Sequence, residues 1–332
     1  MLSAAGKAPL QSVSPAIALP CLAMSRSAQS TRRARQPRPL PMRDGVSASC
    51  VALPPGPWAT VLDFLCERFT MVARQDWCER MAAGRVVDGA GRPVAPEREY
   101  EKNLRIWYYR EWPDEPRIPF EERIVFQDEL LVVADKPHFL PVTPSGRHVR
   151  ETLLARLKRR LGLDTLVPIH RIDRETAGLV VFSVQPATRG AYQRLFEQRA
   201  VAKRYEAVVH WPPPRPLPAV HRSRLMPVFM RSEEVPGEPN SETAIELLDA
   251  GERFARLALA PRTGRKHQLR AHCHALGVPI VGDGIYPELR PEGCDDFERP
   301  LQLLARELAF TDPVTGQARR FASERTLAGL PG

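Results

Sequence analysis

The densest chemistry in this chain lies in His170-Arg171-Ile172-Asp173-Arg174-Glu175-Thr176-Ala177-Gly178, where an aspartate has Arg174 beside it and Arg171 just before. A carboxylate set between guanidiniums stays ionised where water is excluded, because opposite charge favours the anion while desolvation disfavours it. An anionic oxygen shielded from water can serve as a nucleophile. The same residues also fit a surface loop with internal ion pairs, and local chemistry alone does not choose between the two. Leu166-Val167-Pro168-Ile169 leads in and Leu179-Val180-Val181-Phe182 leads out. Both runs are short and rich in β-branched or aromatic residues, as strands are. Thr176-Ala177-Gly178 reads as a tight turn between them, so the acid belongs at the lip of a sheet.

A length of 332 residues allows one large domain or two smaller ones with a substantial core. No apolar run approaches the ~20 residues of a membrane-spanning helix, so no membrane partner is expected. The net charge of +9 is unevenly placed, because residues 1–43 hold seven Lys/Arg and no acid, leaving +9 − 7 = +2 for the rest. Any nucleic-acid footprint must therefore come from cations clustered on one face. Cys21, Cys50, Cys66, Cys78, Cys273 and Cys294 show no C-x-x-C spacing. They read as free thiols in a reducing compartment, which points to the cytoplasm. His272-Cys273-His274 does not make a metal site by itself, since adjacent residues on a helix face apart. No metal is expected.

The segment 1–45 reads as a disordered basic extension outside the fold. It suits a basic RNA-binding arm, a transit peptide, or a leader preceding a true start at Met42, the last being favoured. Residues 57–110 read as a small domain. Val61, Leu62, Leu65, Cys66 and Phe69 form a helical stripe after an N-cap at Thr60, and a second helix spans 75–83 before Gly84. Strands follow at 85–88 and 104–109. Residues 111–120 form a Pro- and charge-rich linker.

From 121 to 325 strands outnumber helices, which gives an α+β class. A hairpin covers 124–134. A helix covers 151–161, with Leu153, Leu154, Leu157 and Leu161 inward, Arg156, Arg159 and Arg160 outward, and Gly162 as its cap. Another helix spans 187–198. The strand at 201–209 places Lys203, Tyr205, Ala207 and Val209 on one face. Residues 219–241 read as loop, 243–248 and 254–260 as paired strands, and 305–310 as a closing strand before the turn at 312–316. A helix at 266–276 is entered through Thr263-Gly264-Arg265. It puts His267, Arg270, Ala271 and His274 on one stripe, from which Arg270 can reach a buried carboxylate.

The central motif resembles the signature of the RluA-type RNA pseudouridine synthases, in which His-Arg-Leu-Asp precedes Thr-Ser-Gly-Leu. Four further blocks resemble the family in order: Val133–Pro137, Lys203–Ala207, Thr263–Arg270 and Leu276–Asp283. The resemblance implies a long mixed, mainly antiparallel sheet with a central cleft, and a small S4-like RNA-binding domain over 57–110. It implies an isomerase that converts uridine in RNA to pseudouridine without a cofactor. By the same resemblance Asp173 is the catalytic acid, Arg270 its paired cation, and Tyr205 the active-site tyrosine. Attack at the sugar and a glycal route both use the carboxylate.

Arg171 matches the residue that fills the space left by an everted base. His170, Arg174, Arg265, Lys266 and His267 are the further candidates for RNA contact. Ribosomal or transfer RNA is the expected partner and a monomer the expected state. Ala177 and Lys266 depart from the family's usual Ser and Thr or Ser, which leaves RNA choice open. The alternative is a non-catalytic RNA-binding or ribosome-assembly factor on the same fold.

Overall fold

Thr60 starts the first helix as the sequence suggests: its hydroxyl accepts from Asp63 N–H at 3.1 Å while Asp63 accepts from Thr60 N–H, closing a capping box. The computed structural model describes residues 39–328 apart from 111–114, 147, 292 and 294. In the N-terminal part, strand β1 (Ser49–Ala52) precedes helices α1 (Val61–Arg68) and α2 (Arg74–Ala82), β2 (Val86–Val87) and β3 (Arg105–Tyr108). The strands form an antiparallel sheet in the order β1-β3-β2. Leu65, Trp77 and Ile106 are buried at its centre, each large apolar side chain contributing roughly 1.5–3 kcal/mol.

The larger part carries β4 (Arg123–Gln127), β5 (Leu131–Lys136), α3 (Leu153–Leu161), β6 (Val167–Pro168), β7 (Ala177–Ser183), α4 (Arg189–Glu197) and β8 (Ala202–His210). β9 (Val220–Pro227), β10 (Ser232–Val235), β11 (Ser241–Ala250), β12 (Phe254–Pro261), α5 (Gln268–Ala275), β13 (Leu303–Thr311) and β14 (Ala318–Ala322) complete it. One sheet runs β10-β9-β11-β12-β8-β13-β7-β5-β4, with β14 on β13 and β6 on β7. All its pairings are antiparallel except β13 with β7. β5 and β7 are buried along their whole length, which explains their unbroken apolar runs. The fold is α+β, a long mixed and mainly antiparallel sheet.

Several expectations change. Ala177 and Gly178 are not a turn but the first residues of β7, paired in parallel with Leu304 and Ala305. Gly178 has φ +111°, and a Cβ there would stand 2.3 Å from the Ala305 carbonyl oxygen. Glycine is needed for both reasons. Residues 219–241 are not loop; they hold the β9–β10 hairpin. Arg156 does not face water. It turns inward, donating to the Ile118 and Phe120 carbonyls at 2.7 Å and to Glu151 and Glu122.

The expected linker and extension also shrink. Residues 111–114 lie outside the described residues, but Ile118 is buried and Glu115 accepts from Val149 N–H at 2.6 Å and from Glu151 N–H at 2.7 Å. Of the expected extension, 1–38 lies outside the described residues, while the rest joins the body. The Pro41 carbonyl accepts from Tyr109 Oη, Arg43 stacks on the Tyr109 ring, and Val46 packs with Val149 and Ala155.

Candidate active site

Asp173 sits in the loop between β6 and β7, and that loop is pinned from below. Lys136, the last residue of β5, is fully buried and donates to the carbonyls of Pro137 and Arg174, both at 2.9 Å. His138 Nδ1 stands 2.6 Å from the Glu175 carbonyl. His170 Nε2 accepts from Val181 N–H at 3.1 Å, and its ring stacks on Phe196. Burial pushes the His170 imidazole down to about 3, so it stays neutral as that acceptor requires. Arg174 is held by Asp295 through both terminal nitrogens and by Glu175 through Nε.

Arg270 comes from α5 on the far side. Its side chain has 0% exposure. Asp283 grips it through Nε at 2.9 Å and Nη2 at 2.6 Å. Asp283 is itself fixed by the N–H groups of Ile285 and Tyr286. That fork turns Nη1 toward Glu175 Oε2 at 3.3 Å and Asp173 Oδ2 at 3.6 Å. Bidentate guanidinium–carboxylate pairing gives geometric control as well as charge. Asp173, with 28% side-chain exposure, is paired with the cation yet open to the cleft. Burial works against the charge on Glu175, but Arg270 and then Arg174 hold its carboxyl below the usual range. Glu175 is engaged by both guanidiniums and does not line the cleft.

The cleft has a volume of about 920 Å³, the size of a small-molecule or nucleotide pocket. All nine residues singled out in the sequence line it: Asp173, Tyr205 and Arg270, with His170, Arg171, Arg174, Arg265, Lys266 and His267. Tyr205, on β8, lies near enough that burial and then the charge of Asp173 push its phenol up, keeping it protonated. Arg171, Arg265 and Lys266 are exposed at the rim. The Arg265 and Lys266 side chains donate to the Asn240 and Met230 carbonyls, at 3.2 and 3.3 Å.

Two of the RNA-contact candidates are better described as framework. His170 spends Nε2 as an acceptor on β7, and Arg174 is engaged by Asp295 and Glu175, so each is tied into the framework of the loop. His267, at positive φ before α5, is buried with Nε2 3.9 Å from Asp173 Oδ1. Burial lowers its basicity, while Asp173 pulls the other way. The sequence reading missed Arg199, Lys203 and Arg262, which bring the lining to eight cations against two acids, Asp173 and Glu197. The cationic footprint is therefore local to the cleft, on a body that is nearly neutral. Glu175 and Asp283 were missed as partners of Arg270; both lie inside the family-like blocks, and only the fold reveals the shared guanidinium.

The position of Lys136 has a consequence for stability. Burial pushes its amine down to about 7, with Glu175 and Asp173 raising it only in part. From about pH 7 to its ordinary value of 10.5, the unfolded chain binds the proton that the folded chain has released, so stability rises with pH there. A neutral amine still has the hydrogens for both carbonyls. Thermal stability of the wild type is expected to climb between pH 7 and 9, and Lys136→Met to flatten that climb. Equal slopes in the two proteins would refute the assignment.

Comparison with known proteins adds to this geometry. A model of the family described as RNA pseudouridylate synthase matches residues 130–275. The chain is 31% identical over 237 residues to an uncharacterized RNA pseudouridine synthase of Synechocystis, covering 68% of this chain and 79% of that protein. It is 32% identical over 207 residues to the dual-specificity RNA pseudouridine synthase RluA of Haemophilus influenzae, covering 60% of this chain and 90% of RluA. The solved structure of human RNA pseudouridylate synthase domain containing 1 superposes with a TM-score of 0.51 at 23% identity, covering 64% of this chain and 86% of that one, a likeness of fold.

Proposed function

The chain belongs to the RNA pseudouridine synthase family, and on that premise we propose that Asp173 is its catalytic carboxylate, acting at ribose C1′ of a uridine everted into the cleft. The protein is an isomerase that converts uridine in RNA to pseudouridine. The reaction breaks the N1–C1′ bond, forms a C5–C1′ bond, releases the C5 proton to solvent and returns one proton to N1, so that product and substrate are isomers. The observation that carries our assignment is the placement of Asp173, open to a cationic cleft and backed by a guanidinium that Asp283 locks in orientation.

Arg270 balances the carboxylate charge without closing a short hydrogen bond on it, leaving an oxygen for the sugar. A preorganised cation of this kind needs no rearrangement as charge develops at C1′. Tyr205 stacks on the detached uracil and relays the C5 proton through a hydroxyl that stays protonated. Tyr205→Phe is then expected to lower single-turnover pseudouridine formation by about 10²–10⁴-fold, with RNA affinity nearly unchanged. An unaltered rate would reduce Tyr205 to a packing surface.

Ribosomal or transfer RNA loops are the substrates we infer, because a base already splayed costs less to evert. The relative in Haemophilus influenzae carries a dual-specificity name, which suits a site that selects loops by shape. Arg171 fills the gap left by the base, and Arg265, Lys266 and Arg199 follow the phosphates. The module at 57–110 we read as an S4-like RNA-holding domain, and the protein as a cytoplasmic monomer. Its free Cys50, Cys66, Cys78 and Cys273 are in keeping with a reducing compartment. Pseudouridine mapping of cellular RNA with and without the gene tests the substrate. A site lost from a ribosomal or transfer RNA loop is expected, and loss only from other RNA would overturn that choice.

A further inference from the structure

His272 and His274 face opposite ways on α5, the first buried and the second exposed. The sheet brings His272 new company. His221 on β9 and Glu234 on β10 meet it from the hairpin, and the donor atoms of the three lie within 4.8 Å of one another. His221 Nε2 is 2.7 Å and His272 Nε2 3.9 Å from Glu234 Oε1. The two imidazoles stand 4.7 Å apart between centroids and nearly perpendicular at 86°.

We propose that His221, Glu234 and His272 form a site for a divalent transition-metal ion of the zinc class, separate from the catalytic cleft. Zinc takes two imidazoles and one carboxylate readily, with bonds of roughly 2.1 Å and therefore ligand separations of about 3.4 Å. The distances to Glu234 bracket that spacing, so small side-chain shifts bring all three onto one ion.

The surrounding residues prepare the buried ligand. Thr243 Oγ1 is 3.0 Å from His272 Nδ1 and also accepts from Gln268 Nε2 at 3.0 Å. A proton on Nδ1 donated to Thr243 leaves the Nε2 lone pair facing the site, the outer arrangement that metal-binding histidines use. Burial, then His221, push His272 down to about 4, so the ring is neutral. Ser241 Oγ at 2.9 Å and Ser223 Oγ at 3.1 Å are hydrogen-bonding partners of Nε2 that an ion would displace; once turned from the ring, these hydroxyls stand beside its fourth position, where they would hold a water. An ion here would join the β9–β10 hairpin to the helix that carries Arg270. That hairpin's tip supplies the Met230 carbonyl to Lys266 at the cleft rim, so occupancy would fix the rim.

The test is calorimetric titration of the EDTA-stripped full chain with Zn²⁺, paired with Co²⁺ absorption to report coordination. We expect one equivalent bound with Kd below about 10 µM, and at least tenfold weaker binding in His221→Ala and in Glu234→Gln. Zn²⁺ should raise the melting temperature of the wild type and not of His221→Ala. Failure to bind at 100-fold higher metal, or binding unchanged in both variants, would place any metal on other groups such as the thiols and overturn the proposal.

Discussion

Asp173→Asn lowers pseudouridine formation by at least about 10³-fold, because the amide keeps the shape of the side chain and removes the anionic oxygen that the reaction needs. The fold should be nearly indifferent. Arg270 keeps Glu175 at 3.3 Å and Asp283 at 2.6 Å when Asp173 loses its charge, so no buried cation is stranded. RNA affinity should also be preserved, since the cations proposed to meet the phosphates are untouched. Tritium release from C5-labelled uridine, read beside a thermal melt and an RNA-binding isotherm, separates the three quantities. A variant that keeps a tenth or more of the wild-type rate would remove Asp173 from the chemistry.

Arg270→Met has the largest expected effect on stability, about 3–5 kcal/mol, because breaking a buried ion pair from one side leaves uncompensated charge. Here it leaves the fully buried Asp283 and the half-buried Glu175 and Asp173 facing one another. Urea unfolding at pH 7 measures it as a lower midpoint. Glu175 supplies the sign of the pH dependence. In the wild type its folded pKa is depressed, so its contribution is present above the ordinary value of 4.5 and is lost as pH falls through the lower folded value. Without Arg270 the largest influence holding this carboxyl down against burial is gone, so its folded value moves up even with Arg174 still beside it. The variant's deficit should therefore be full at pH 7 and shrink toward pH 4.5. A deficit that stays constant with pH would mean that lost packing, not stranded charge, dominates. Activity should vanish with the acid's partner.

Much of the site was legible before any coordinates because its parts sit in short, chemically unusual runs. The spacing around Arg270 announced a helix face that could reach a carboxylate, and the alternation of β8 put Tyr205 with its neighbours on one face. Other features had no local signal. Val220–Pro227 does alternate outward and inward, but the inward positions begin with His221 and Ser223 before Leu225, so the sequence offers no apolar alternation to read. Arg156 looks like a solvated helix residue until Glu122, distant in sequence, is found opposite it. Gly178 looks like a turn residue because the carbonyl that forbids a side chain there belongs to Ala305. His170 and Arg174 carry the right chemical groups for RNA, and only the fold reveals that Val181 N–H, Asp295 and Glu175 also engage them.

The order of strands also constrains when this molecule can become an enzyme. β13 lies between β7 and β8 and is the strand that joins the acid's half of the sheet to the half bearing Tyr205 and α5. It also follows Asp173, Tyr205 and Arg270 in the chain. A nascent chain that stops before Leu303 would hold Asp173, Tyr205 and Arg270, the proposed catalytic residues, but lack the strand that brings the two halves together. Such a partial chain is expected to be silent toward RNA, so the proposed activity waits on a strand that carries none of the proposed catalytic residues.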